Sequence, residues 1–192
     1  MSGKIALTSE APPQEKKRPL LSARQIGVAA AFGGAACAVM ILNITVPFAP
    51  GLSLDLGEIF VSLGSALGGP IAGIIIGFLK GIGAAPDRNI PPHMLVGFVW
   101  GFWYMYLWKF TQNLKHSKWI RVGLWTASMP VYYYVLLLPF VLWIYATFTL
   151  NVPFVPFYTT VAPLVLPEMI GTTIVTDMVW LALPDKFAKP VK

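Results

Sequence analysis

From Gln25 onward the chain reads as long apolar runs separated by short polar or turn-rich stretches. A membrane-spanning helix needs about 20 predominantly apolar residues. Gln25–Pro47 supplies such a run without a single charge. Pro91–Phe110 supplies a second, Val122–Leu150 a third with length to spare for tilt, and Ala162–Leu183 a fourth that contains two acids. Leu52–Ala85 is ambiguous. Its uncharged centre, Ile59–Leu79, has the length of one helix, yet Gly68-Gly69-Pro70 interrupts it, and that is a strong turn signal.

Charge separates the two readings. Lys and Arg accumulate on the cytoplasmic flanks of membrane helices. All but Lys80 and Arg88 of the 14 cations fall in three segments: Lys4, Lys16, Lys17, Arg18 and Arg24 before the first run; Lys109, Lys115, Lys118 and Arg121 in the central linker; and Lys186, Lys189 and Lys192 at the end. These segments share one side only if Leu52–Ala85 is two helices, Leu52–Leu67 and Pro70–Ala85, joined in a short internal hairpin. The expected fold is an all-α membrane protein, a bundle of six transmembrane helices over residues 23–185 with both termini cytoplasmic. A polar, disordered cytoplasmic tail is expected over 1–22 and a short cytoplasmic tail over 186–192. External loops fall at Val46–Ser53, Ala85–Pro92 and Asn151–Val161.

Composition agrees. The chain is 56% hydrophobic and 11% charged, against about 25% charged for a soluble domain, and its mean hydropathy is +0.68. The net charge of +6 does not point to nucleic acid, because the cations are confined to three flanks and not spread along a groove-facing element. The lone Cys37 excludes an internal disulfide.

Ionisable residues inside a bilayer are costly and face cavities or partners. Here they are Asp55, Glu58, Lys80, Glu168 and Asp177. At about 1.5 Å of rise per residue, Glu58 and Lys80 both lie roughly 9 Å below the outer boundary, and Asp55 shares a helix face with Glu58. Four of the five thus converge on the outer half, which predicts a polar pocket open to the outside. Asn89, His93 and Asn151 from the external loops join the candidate substrate-binding set. Aromatic residues crowd the later helices, mostly as interfacial belts. Trp100 and Tyr104, one turn apart, and Tyr145 and Tyr158, flanking the last external loop, are candidates for stacking on a planar ligand. No catalytic motif, metal-ligand spacing or cofactor signature occurs, so neither an enzyme nor a resident metal is expected.

The stretch Val46-Pro-Phe-Ala-Pro-Gly-Leu-Ser-Leu-Asp-Leu-Gly-Glu-Ile59, followed by Gly69-Pro70, Gly73 and Gly77, resembles the substrate-binding S components of energy-coupling factor (ECF) vitamin transporters. The resemblance covers Ala31 to Gly83, and Phe78-Leu79-Lys80 leans towards the riboflavin-type members. Those carry Lys where this chain has Ser53. The resemblance implies six helices with both termini inside, in a prokaryotic plasma membrane. It also implies capture of a vitamin or related micronutrient near the outer face, and energy from a membrane coupling subunit with two ATPase subunits. It makes Ala31 and Ala35, an Ala-x-x-x-Ala pair on helix 1, the docking surface for that coupling subunit. Two other functions remain open at this point: a stand-alone secondary transporter using Glu58, Lys80 and Asp177, and a structural subunit of a membrane complex.

Overall fold

The computed structural model describes residues 20–49 and 52–191, so the expected tail lies outside the described residues up to residue 19. Helix α1 (Ala23–Ile41) opens with a capping box. Ser22 accepts the Gln25 N–H through its side chain at 3.3 Å, and the Ser22 N–H donates to Gln25 Oε1 at 2.9 Å. The helix stops short of the expected Pro47. The segment expected to be an external loop and the first turn of helix 2 is a β-hairpin instead, β1 (Thr45–Ala49) paired antiparallel with β2 (Leu52–Asp55), in the register Thr45↔Asp55 and Val46↔Leu54. β-Branched Thr45 and Val46 favour extended backbone, and Pro47, which lacks an N–H, suits a strand open at its edge.

Helix α2 (Gly57–Gly83) is two arms joined at Gly69, whose φ of 80° and ψ of −176° only glycine adopts readily. Pro70 then occupies the first position of the second arm, where its fixed φ is an advantage. The arms fold back on one another. Lys80 Nζ meets Glu58 Oε1, although 22 residues along a straight helix would separate them by about 33 Å. The hairpin expected from Gly68-Gly69-Pro70 is therefore present.

Helix α3 (Pro86–Thr111) starts earlier than Pro91, so the expected Ala85–Pro92 loop is mostly helix. Pro86 sits in its first turn, and the N–H groups of Arg88 and Asn89 both donate to Ala85 O. Pro91 and Pro92 lack the N–H groups that would serve the carbonyls of Asp87 and Arg88, both in the first turn of the helix. Glycines at every fourth position of the second arm of α2 let α3 approach at backbone distance. A Cβ on Gly73 would run into the carbonyl of Gly97, and one on Gly97 into that of Gly73; Gly77 abuts His93 and Gly81 abuts Ile90 in the same way.

Helix α4 (Ser117–Leu150) contains two π-helical turns, Tyr132–Leu137 and Tyr145–Leu150, and ends at Asn151 in left-handed conformation with φ 52°. Helix α5 (Phe154–Ala182) begins well before the expected Ala162, with a 3-10 turn at Ala162–Val165. The last expected loop thus shrinks to 151–153. A single turn, α6 (Asp185–Ala188), closes the chain. The segments α1, α4 and α5 are each long and apolar enough to cross a bilayer; α2 has the length and hydropathy along the chain but is folded into two arms. The architecture is a helical bundle of the multi-pass membrane type.

The start of α1, the bend in α2, the α3–α4 linker and the C-terminal segment meet at one end. Arg24 Nη2 donates to the carbonyls of Phe187 (3.2 Å) and Lys189 (3.1 Å), and Gln25 Nε2 to that of Gly68 (3.3 Å). Lys118 Nζ reaches Leu181 O, Tyr104 OH reaches Ala188 O, and the Val191 N–H reaches Leu67 O. Residues 186–191 are consequently a packed strap and not a loose tail. In mid-bundle, Trp100, Tyr104, Trp125, Tyr132 and Trp180 form a continuous aromatic core. Tyr104 stacks on Trp180 at 4.7 Å, and Trp100 meets Tyr132 edge-on at 4.7 Å. Each such pair contributes about 0.5–1.5 kcal/mol beyond the area it buries.

Candidate functional site: a buried ionic cavity

The end of the bundle remote from the basic segments collects the buried charges. Asp55 closes β2, and its Oδ1 accepts the Gly57 N–H at 2.7 Å, which holds the chain as it turns into α2. Glu58 follows in the first turn, where a carboxylate complements the positive helix end. The fold-back at Gly69 returns Lys80 to the same level, and α3 supplies His93. Glu58, Lys80 and His93 are 2%, 1% and 3% exposed. The Lys80 ammonium contacts Glu58 Oε1, lies 2.9 Å from Asp55 Oδ2 and 2.8 Å from His93 Nε2. His93 Nε2 is 2.9 Å from Glu58 Oε1. Nδ1 of His93 lies 2.6 Å from Asn89 O, a pure acceptor, so Nδ1 carries the proton. In the neutral ring Nε2 is then an acceptor for Lys80.

Helix α4 completes the enclosure. Tyr132 OH donates to Glu58 Oε2 at 2.6 Å, and Tyr133 OH donates to Thr172 Oγ1 at 2.9 Å and lies 3.5 Å from Glu168 Oε1. On a regular helix two consecutive side chains diverge by about 100°. Both tyrosines are nonetheless fully buried, at the start of the first π turn. π Turns recur at functional sites because they re-aim side chains in this way.

These groups surround a cavity of about 150 Å³, with Asp55, Glu58, Lys80, Asn89, His93 and Glu168 on its polar side and Met40, Leu137, Leu138 and Val141 on its apolar side. Three carboxylates face one ammonium. Buried charges persist only where pairing and hydrogen bonds offset desolvation, and Glu58 has both oxygens engaged. Lys80 occupies the centre of the acidic groups, where a metal ion would have to sit.

Six of the eleven candidate substrate-binding residues therefore line one cavity. The other five lie elsewhere. Trp100 and Tyr104 belong to the aromatic core, and Trp100 also borders a separate apolar groove of about 460 Å³ between α3 and α4, lined by Val99, Trp103, Leu124 and Val131. That groove carries no ionisable group. Tyr145 holds Arg88 over its ring at 4.8 Å, and Tyr158 donates to Tyr134 O, so each ties α4 to a neighbouring helix. Asn151 is an exposed turn residue. Asp177 accepts from Thr126 Oγ1 at 2.8 Å on the α4–α5 flank and does not join the cluster. On α1, Ala31 is exposed and Ala35 half-buried; the face packed on α2 is Ala29, Gly33 and Ala36.

Sequence reasoning missed Tyr132, Tyr133 and Thr172. The run Tyr132-Tyr133-Tyr134 reads as an interfacial belt, whereas Tyr132 and Tyr133, at the start of the π turn, are buried inside the bundle.

Fold and site together define a multi-pass helical membrane protein with an ionic cavity at one end. No family model, curated protein or solved structure matches the chain.

Proposed function

We propose that this protein is the substrate-capturing membrane subunit of an importer of the energy-coupling factor type, and that the cavity at Asp55, Glu58, Lys80, His93 and Glu168 takes a small polar nutrient. One observation carries the reading: the acids of the motif that resembles S components, Asp55 and Glu58, line one cavity together with Lys80 from the following hairpin arm. Charges buried in lipid at such cost mark ligand paths and sites. On this reading the basic end is cytoplasmic, the bundle sits in a prokaryotic plasma membrane with the two arms of α2 inserted as one hairpin, and the cavity opens outward. A coupling subunit and two ATPase subunits supply the energy. They dock on the outward face of α1, where Gly27, Ala31, Gly34 and Ala38 are exposed.

The cavity holds about five water volumes. That suits a single small ring, whereas a riboflavin-sized ligand requires α4 and α5 to move apart. A proton-coupled transporter acting alone draws less support, since Asp177 is not connected to Glu58 and Lys80.

Two measurements test the proposal. Native mass spectrometry of the purified full-length chain should reveal a co-purified small molecule that is lost in Glu58→Gln. Liposomes holding the protein alone should bind that molecule without accumulating it. Accumulation without partners would establish secondary transport instead, and a chain that co-purifies and binds nothing is a structural subunit.

A further inference from the structure

A second pocket, of about 240 Å³, lies at the basic end between α3 and the C-terminal strap. Met105, Trp108 and Pro190 make its apolar side, and Lys109, Gln112 and Lys189 its polar side. The two lysines come from segments 80 residues apart. They are brought to one pocket because Arg24 grips the carbonyls of Phe187 and Lys189, and Tyr104 that of Ala188. Both lysines border one pocket, where an anion would offset the repulsion between their charges. Among the described residues no carboxylate pairs with either; Asp185, the acid on this end, is 3.8 Å from Arg121.

The surroundings specify the anion. The pocket sits where the bundle's apolar flank meets its charged end, the depth of lipid headgroups. Beside it, Phe102, Tyr106 and Phe110 run up α3 at intervals of four residues, each 60–63% exposed, and offer an aromatic track for an acyl chain. Trp119, 65% exposed, lies in the same terminal region, as residues of an interfacial belt do. Basic pockets between helices at the cytoplasmic interface bind acidic phospholipid headgroups. The volume is that of about eight waters, room for a glycerophosphate. We infer that this pocket is a binding site for an acidic phospholipid, with Lys109 and Lys189 on its phosphate, Gln112 donating alongside, and Trp108 against the glycerol. The lipid bridges α3 to the strap and so holds the strap across the bend of α2. The inference is independent of what enters the ionic cavity.

Native mass spectrometry of the full-length protein, released from nanodiscs of equal parts phosphatidylglycerol and phosphatidylcholine, tests it. The wild type should retain phosphatidylglycerol in preference to phosphatidylcholine. Lys109→Gln/Lys189→Gln should weaken that retention about thirtyfold, at roughly one kcal/mol per lysine. Lys115→Gln/Lys186→Gln removes two cations of the same end from outside the pocket and should leave retention unchanged. Equal retention of both lipids, or equal loss in the two double variants, overturns the site in favour of diffuse surface attraction. Displacement of the lipid by millimolar inorganic phosphate overturns it in favour of a soluble anion. All these variants replace exposed side chains, and monodisperse elution verifies that they fold.

Discussion

Lys80 lies 2.9 Å from Asp55 Oδ2 and also contacts Glu58 Oε1, so removing the lysine strands two carboxylates, while removing Glu58 leaves the ammonium its pairing with Asp55. Lys80→Met should therefore be the most damaging single change at the cavity, costing about 3–5 kcal/mol. Glu58→Gln should cost less, because Lys80 keeps Asp55 and Tyr132 can donate to the amide oxygen. Glu58→Gln/Lys80→Met should be less damaging than Lys80→Met alone. Thermal unfolding in detergent measures all three. A Lys80→Met protein that melts with the wild type would mean that the Asp55 and Glu58 carboxylates are hydrated in the native fold.

The α2–α3 contact gives a second prediction. Gly73→Ala places a methyl against the Gly97 carbonyl and should destabilise by about 1–3 kcal/mol, the cost of overpacking. Gly34→Ala has nothing within 4 Å of the new methyl and should be neutral, or stabilising by up to about 1 kcal/mol through helix propensity. If the two variants melt alike, the helices do not meet at backbone distance.

Topology is testable in intact cells. In a Cys37→Ala background, Ser117→Cys should resist a membrane-impermeant maleimide added from outside and Asn151→Cys should react, because residue 117 lies at the basic end and residue 151 at the opposite end of α4. Ready labelling at 117 would reverse the orientation.

Docking on α1 predicts a split phenotype. Ala31 faces away from the bundle, so Ala31→Trp should leave ligand binding by the isolated protein unchanged and abolish uptake by the assembled importer. Ala35 is half-buried, and a tryptophan there disturbs packing as well. Ala31→Trp with normal uptake would remove α1 as the coupling surface.

Hydrophobic runs and turn signals carried most of the architecture. Gly68-Gly69-Pro70 announced the hairpin because few residues tolerate the conformation at 69, and equal depth on its two arms was enough to bring Glu58 and Lys80 together. Element ends were less legible. Pro91-Pro92 looked like a helix start, but Pro86 had already fixed one. Thr45–Asp55 looked like a helix and a loop, since residues this close to a membrane boundary carry no periodicity long enough to show a strand. The share of Tyr132 and Tyr133 in the site was invisible. A π turn leaves no mark in composition, and the spacing that makes a regular helix readable is what it breaks. Trp100 and Tyr104 failed as ligand contacts for a simpler reason: a wide aromatic face suits a bundle core as well as a ligand.

Because Gly69 folds α2 into arms 57–68 and 70–83, each arm measures only about 18–21 Å, short of the roughly 30 Å hydrocarbon core. Neither arm spans that core alone, so the two sit in a bilayer together, as one hairpin. Within that hairpin the Lys80 ammonium is matched by Glu58 of the other arm, which offsets part of the cost that a lone lysine in a bilayer carries. Tyr132 of α4 closes over a pair of charges that the hairpin alone already matches.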